Sequence, residues 1–161
     1  MTIIEAVRQF VGTYPPLVES RLNVDFLPKD ADGYSLDAVP AKSEVKVYRD
    51  GSSVRQFLFV LASRAYWGPD YRQQIDNLCF FEEFEEWIAR QSRAGIFPAL
   101  GEGRTAQKLE VLTSGYAFAQ GADLARYQIR WRTGWWATRR RPSGATGAAP
   151  RHGKEPGTRA A

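Results

Sequence analysis

The segment SVRQFLFVLASRAY, from about Ser53 to Tyr66, constrains the fold most. Its centre, FLFVLA at Phe57 to Ala62, is the longest apolar run in the chain and is strand-sized, far short of the roughly 20 residues needed to cross a bilayer. A strand that is apolar on both faces needs cover on both, which predicts a central place in a sheet. The residues before it, Arg49-Asp50-Gly51-Ser52, have the composition of a hairpin turn. Glu44 to Tyr48 alternates, with Val45 and Val47 on one face, so a shorter strand is expected to enter that turn.

The other elements can be placed around this strand. Thr2 to about Thr13 carries Ile3, Ile4, Val7, Phe10 and Val11 at helical spacing, and Tyr14-Pro15-Pro16 stops the helix. LNVDFL (Leu22 to Leu27) and YSLDAV (Tyr34 to Val39) read as two short strands joined through the turn-rich PKDADG. Gly68-Pro69-Asp70 opens a long helix that is expected to run to about Ala94, where Gly95 ends it. The apolar set of that helix, Tyr71, Ile75, Leu78, Phe80, Phe81, Phe84, Trp87 and Ile88, is wider than one stripe. This predicts packing on the sheet plus contact with something else, such as a neighbouring subunit. KLEVLTSGYAFA (Lys108 to Ala119) reads as a strand, Gln120-Gly121-Ala122-Asp123 as a turn, and ARYQIRWR (Ala125 to Arg132) as a strand with Tyr127, Ile129 and Trp131 facing a core. This order predicts an α+β fold: a mixed or antiparallel sheet carrying an N-terminal helix and one long helix.

Charge is unevenly distributed. From Ala137 onward, Arg139, Arg140, Arg141, Arg151, Lys154 and Arg159 face only Glu155. The formal charge of +4 therefore belongs to the end of the chain, leaving about −1 for the first 136 residues. The expectation is one domain over residues 1–136, followed by an Arg-, Gly-, Ala- and Pro-rich tail over 137–161. The tail is too poor in large apolar residues to offset the entropy of ordering it, so it reads as disordered. The start MTIIEAVRQF lacks the basic and apolar regions of a secretory signal, and a single cysteine cannot form an internal disulfide. Together these point to folding in a reducing cytoplasm.

No constellation for catalysis or metal binding can be assembled from the residues, and no cofactor is expected. His152 lies in the tail and Cys79 within the long helix, and these read as a solvated imidazole and a packed thiol. The acids Glu82, Glu83, Glu85 and Glu86 are interrupted by Phe84 and Trp87 at the spacing of a buried face, so they read as a solvated helix flank. Gly101-Glu102-Gly103-Arg104 lacks phosphate-loop spacing and reads as a plain loop. In ARYQIRWRTGWW, base stacking with Arg130 and Arg132 on phosphates is the alternative to a core-facing strand. The run Arg139-Arg140-Arg141 is a candidate for weak, non-specific contact with DNA.

The segments MTIIEAVRQF, LNVDFL, QFLFVLASRAYWGPDYRQQIDN, FFEEFEEWIARQ and above all QKLEVLTSGYAFAQGADLARYQI resemble a family of small virion proteins of tailed phages and prophages, usually labelled minor capsid or head-tail joining proteins. The resemblance covers about Met1 to Ile129. In gene order such proteins sit between the connector proteins and the major tail protein, which makes them similar to tail terminators. Those are small α+β subunits that close into a ring, typically a hexamer, on the last tail-tube ring and present a surface to the head. The resemblance implies a non-enzymatic structural protein at the virion head-tail junction, assembled in the bacterial host cytoplasm. Its partners would be itself, the major tail-tube protein and the connector proteins, and a head-side connector is the alternative placement. Tyr66, Trp67, Tyr71, Phe118 and Arg126, at strand ends and turns, are the candidate subunit-interface residues. After Ile129 the chain departs from the family pattern. Either the tail is a real extension, projecting into a DNA-filled lumen, or the terminus is altered or frameshifted, in which case Trp131, Trp135 and Trp136 would be misplaced apolar surface rather than designed contacts.

Overall fold

The computed structural model describes residues 1–139. Helix α1 (Ile3–Val11) begins at a reciprocal cap: the Thr2 hydroxyl accepts from the Glu5 amide at 3.3 Å, and the Glu5 carboxylate accepts from the Thr2 amide at 2.5 Å. Those bonds hold the Glu5 carboxyl below its ordinary value. Ala6, Val7, Phe10 and Val11 form its buried side. The chain then turns through Tyr14 and a short 3₁₀ turn at Pro15–Leu17, in agreement with the predicted stop.

The sheet is built around two long antiparallel strands, β4 (Ser53–Tyr66) and β7 (Leu124–Ala137), paired along their whole length from Ser53 opposite Ala137 to Tyr66 opposite Leu124. Each long strand has two shorter strands laid end to end on its outer edge. β2 (Gly33–Val39) and β3 (Glu44–Val47) pair with β4, and β5 (Arg104–Val111) and β6 (Tyr116–Gln120) pair with β7. The remaining strand, β1 (Leu22–Val24), lies parallel to β2, so the seven-stranded sheet is mixed. The central position expected for Ser53 to Tyr66 is thus the observed one.

Local chemistry explains several boundaries. In the β3–β4 turn Gly51 takes φ +83°, a conformation that favours glycine. Asp50 accepts from the Ser52 amide at 2.9 Å, and the Tyr48 amide donates to the Ser52 carbonyl. The predicted strand at Leu22 to Leu27 ends early, at Val24, because Asp25 turns into the left-handed region at φ +49°; there its carboxylate accepts from the Ala38 amide. The predicted strand from Lys108 to Ala119 is in fact two. β5 starts at Arg104, inside the expected loop, and the Thr113-Ser114-Gly115 segment separates β5 from β6. The ladder to β7 is bridged at that break by the Leu112 and Thr113 amides, both donating to the Arg130 carbonyl, while Thr113 Oγ1 accepts from the Arg130 amide.

Helix α2 (Tyr71–Ala94) lies on the same side of the sheet as α1. Asp70 caps its start by accepting from the Arg72 amide at 2.9 Å, and Gly95 at φ +71° closes its end, with the Ile96 amide donating to Gln91 O. Its buried residues, Phe81, Phe84, Trp87 and Ile88, meet Phe10 from α1, Tyr14 from the turn after it, and Phe59, Leu61, Ile129 and Trp131 from the sheet in one core. Phe84 packs against Trp131 at 5.9 Å between centroids, and Phe10 against Trp87 at 5.1 Å.

In the last strand Trp131 is fully buried, facing the core as its alternation predicts, and Trp135 is nearly so, so neither is misplaced surface; Trp136, on the opposite face, packs at a tilt against Tyr48 at 5.1 Å. The strand runs one residue past the expected domain end at Trp136. Ala137 is the last residue of β7, and Thr138 is tied to Gly103 by its amide at 3.0 Å. Residues 140–161, including Arg140, Arg141 and His152, lie outside the described residues. No helix among the described residues is long and apolar enough to cross a membrane.

Candidate functional site

Both helices cover one face of the sheet. Alternation along the strands directs Phe57, Phe59, Leu61, Tyr127, Ile129 and Trp131 toward them. The opposite face has no helix over it among the described residues. At its centre are Leu58, Val60 and Ala62 of β4, and beside them on β7 run Arg126, Gln128, Arg130 and Arg132. The apolar character of β4 on both faces was legible in the sequence. On this second face the cover comes from neighbouring side chains rather than a helix among the described residues: Val60 and Ala62 are buried and Leu58 half-buried.

Cross-strand pairs hold the side chains of this open face in place. Arg126 lies 2.8 Å from the Asp37 carboxylate and also donates to Gln128 at 3.1 Å, and Gln128 donates to the Tyr116 hydroxyl at 2.6 Å. Arg132 sits 2.6 Å from Glu110, which Lys108 approaches at 3.2 Å, so these bonds keep the Glu110 carboxyl below its ordinary value. Arg130, between them, is exposed. Two solvent-open hollows flank this region. One of about 240 Å³ is lined by Val39, Pro40, Ala41 and Leu58 where β2 gives way to β3; the other, of about 200 Å³, is lined by Val45, Val54, Lys108 and Arg132.

The five predicted interface residues fall into two groups at the same end of the sheet. Tyr66, Trp67 and Tyr71 lie on the segment joining β4 to α2. Tyr66 and Tyr71 are 60% and 64% exposed, whereas Trp67 is half-buried against the core, its amide donating to Asp123 O in the β6–β7 turn. The segment is fastened by Asn77 donating to Tyr66 O at 2.9 Å and Gln74 to Gly68 O at 2.7 Å, so its exposed rings are held on a fixed backbone. Phe118 and Arg126 form the second group on the open face, with the guanidinium 5.6 Å from the ring centroid. Arg126 is thereby a cross-strand structural residue as well as a surface one. Of the tail arginines, Arg139 packs beside Gly51.

The long helix presents Tyr71 and Ile75 outward over its first turns, then the exposed Asp76, Glu82, Glu83 and Glu86. Cys79 is exposed rather than packed, which corrects the sequence expectation. The carboxylate of Glu83, one turn on, pushes its thiol pKa up, so the protonated, weakly nucleophilic form is favoured. Among the described residues no group of three or more His, Cys, Asp or Glu side chains is placed to hold a metal ion. Gly101 and Gly103, at φ +89° and +72°, form a tight turn closed by the Arg104 amide on Gly101 O, the plain loop that was expected.

The sequence reading passed over the open face as a unit. Its signal was the polar half of the alternation in ARYQIRWR, which was weighed only as a contact for phosphates. No protein-family model matches the chain, and no curated protein matches it.

Proposed function

We propose that this protein is a structural virion protein of a tailed phage, a tail terminator that works by stoichiometric assembly without cofactor or catalysis. On this reading it forms a ring of identical subunits, of hexameric type, on the end of the tail tube. It meets the major tail-tube protein on one side and the connector proteins on the other. The observation that carries the reading is the one-sided helix cover of the sheet: the described helices bury one face, while on the other Leu58 is half-buried and Val60 and Ala62 are buried by the chain's own side chains, leaving the polar residues around them as the surface a partner would meet. The exposed Tyr66, Tyr71 and Phe118 on well-fastened backbone add surface suited to repeated contacts. The resemblance over Met1 to Ile129 supplies the class of assembly. A ring requires heterologous contacts, in which one patch of a subunit meets a different patch of its neighbour.

The test is the mass of the full chain by light scattering, with negative-stain imaging, alone and with the neighbouring tail-tube protein. A closed ring, or a ring that forms only on tube ends, is the expected result. A chain that ignores tubes and binds heads would replace this reading with a head-side connector. A monomer that binds neither would overturn it.

A further inference from the structure

The described chain, though nearly neutral over its first 136 residues, is electrically two-sided. Arg64, Arg126, Arg130, Arg132, Lys108 and Lys46 occupy open-face positions of the sheet, against Asp37 and Glu110. On the far side of the molecule, away from the buried Phe81, Phe84, Trp87 and Ile88, helix α2 exposes Asp76, Glu82, Glu83 and Glu86 along its middle, with the exposed Arg72 before them and Arg90 and Arg93 after them. An ion pair found among these acids is Arg90 with Glu86, and it is long, at 3.9 Å. Because α2 lies on the covered side of the sheet, its acidic surface and the basic surface point away from each other.

We infer that the open face of the sheet receives the acidic outer face of α2 from a second copy of this chain, so that subunits join head to tail. This inference rests on the assembly reading above and names the two surfaces that meet. The surfaces match in sign and in length. Asp76 to Glu86 spans about 15 Å of helix, and Arg126 to Arg132 spans about 20 Å of strand. They also match in apolar content: Tyr71 and Ile75 continue the helix face beyond the acids, and the hollow lined by Val39, Pro40 and Leu58 lies beside the basic ladder. Two complementary patches on opposite sides of one chain produce a heterologous contact, which repeats rather than ending at a two-fold dimer. A nucleic acid is the competing occupant of the basic face. The pairing of Arg126 with Asp37 and of Arg132 with Glu110 weakens the face toward any anion, so the second copy is favoured by the apolar content of its helix face, where the exposed Tyr71 and Ile75 supply contacts that a phosphate backbone lacks.

The experiment compares the full chain with Glu82→Arg and Arg130→Glu, two exposed positions, by sedimentation velocity over a salt series. Far-ultraviolet circular dichroism serves as the check on folding. Each reversal alone is expected to weaken self-association about a hundredfold, and the unmutated chain to lose association as salt rises. An equimolar mixture of the two variants, and the double variant, are expected to associate again, because opposite charges then face each other. Rings that persist unchanged in both single variants would overturn this inference while leaving the assembly reading intact. Loss in Glu82→Arg but not in Arg130→Glu would overturn it too, since the acids would then dock elsewhere. A monomer at every salt concentration, with or without tail tubes, would overturn both. Salt-sensitive DNA retention lost in Arg130→Glu, with no self-association, would give the face to nucleic acid.

Discussion

Gly115 lies directly beneath Phe81: a Cβ built on this glycine would stand 2.3 Å from the Phe81 Cβ and 2.7 Å from its Cγ. Phe81 is fully buried on the inner face of α2, and Gly115 sits in the break between β5 and β6. At the interruption of the sheet edge the long helix thus comes so close to the strand backbone that no side chain fits between them. Gly115→Ala must push α2 away or displace the edge, at a cost of about 1–3 kcal/mol. The change should appear as a lower urea midpoint with an unchanged slope. An unaltered midpoint would show that the helix yields freely at this contact.

Thr133 gives a prediction of opposite sign. Among the described residues its hydroxyl and the Trp131 indole N–H are buried polar side-chain atoms with no hydrogen-bond partner. Thr133 is fully buried on the inner face of β7. Replacing its hydroxyl with a methyl group of the same shape removes the unsatisfied group, so Thr133→Val should raise stability by about 1 kcal/mol. Thr133→Ser is the control. It keeps the hydroxyl and loses a packed methyl, and should lower stability by thermal or urea unfolding.

These two residues mark where sequence reading reached its limit. The β4 span, the α2 span and the Gly95 stop were legible because each is set by local chemistry: a long apolar run, a capping aspartate and a left-handed glycine. The break at Gly115 was hidden because Leu112 to Phe118 alternates well enough to pass as strand, and only the tertiary approach of Phe81 requires the interruption. The parallel pairing of β1 with β2 was equally invisible, since pairing direction depends on the path of the intervening loop. The aromatic candidates Tyr66 and Tyr71 were correctly placed at a strand end and a helix start. The open face escaped because periodicity separates two faces of a strand without saying which one the helices take.

Acid should weaken the fold through the open face. Glu110 is held below its ordinary value of 4.5 by hydrogen bonds from Arg132 and Lys108. Its contribution to stability is therefore present above that value and is lost as pH falls through the lower folded-state value. Glu110→Gln should flatten part of the decline in melting temperature between about pH 5 and pH 3. The effect should shrink in high salt, because a third of the side chain is exposed and the pair is screened. A variant that follows the wild-type acid limb at low salt would show that this pairing contributes nothing to stability.

At the alkaline end the corresponding group is Tyr14, which ties α1 to α2. Its hydroxyl donates to Phe80 O at 2.8 Å, and its ring packs against Phe80, Phe84 and Trp87 at 5.2–5.5 Å. Burial first, and the nearby Glu83 second, push its pKa well above the ordinary 10.0. The folded chain holds this proton more tightly than the unfolded one. The associated stability is thus complete below the unfolded value and drains away as pH rises beyond it. At neutral pH, Tyr14→Phe loses one hydrogen bond and leaves the Phe80 carbonyl short of a donor, a cost of about 1 kcal/mol. Above pH 10 the wild type also bears the cost of keeping Tyr14 neutral while its unfolded form ionises, and the phenylalanine variant does not. The stability gap between the two should therefore close, and then reverse, as pH rises. A gap that stays constant through the alkaline range would mean that the hydroxyl reaches solvent in the folded protein, and that the joint between α1 and α2 is looser than its packing implies.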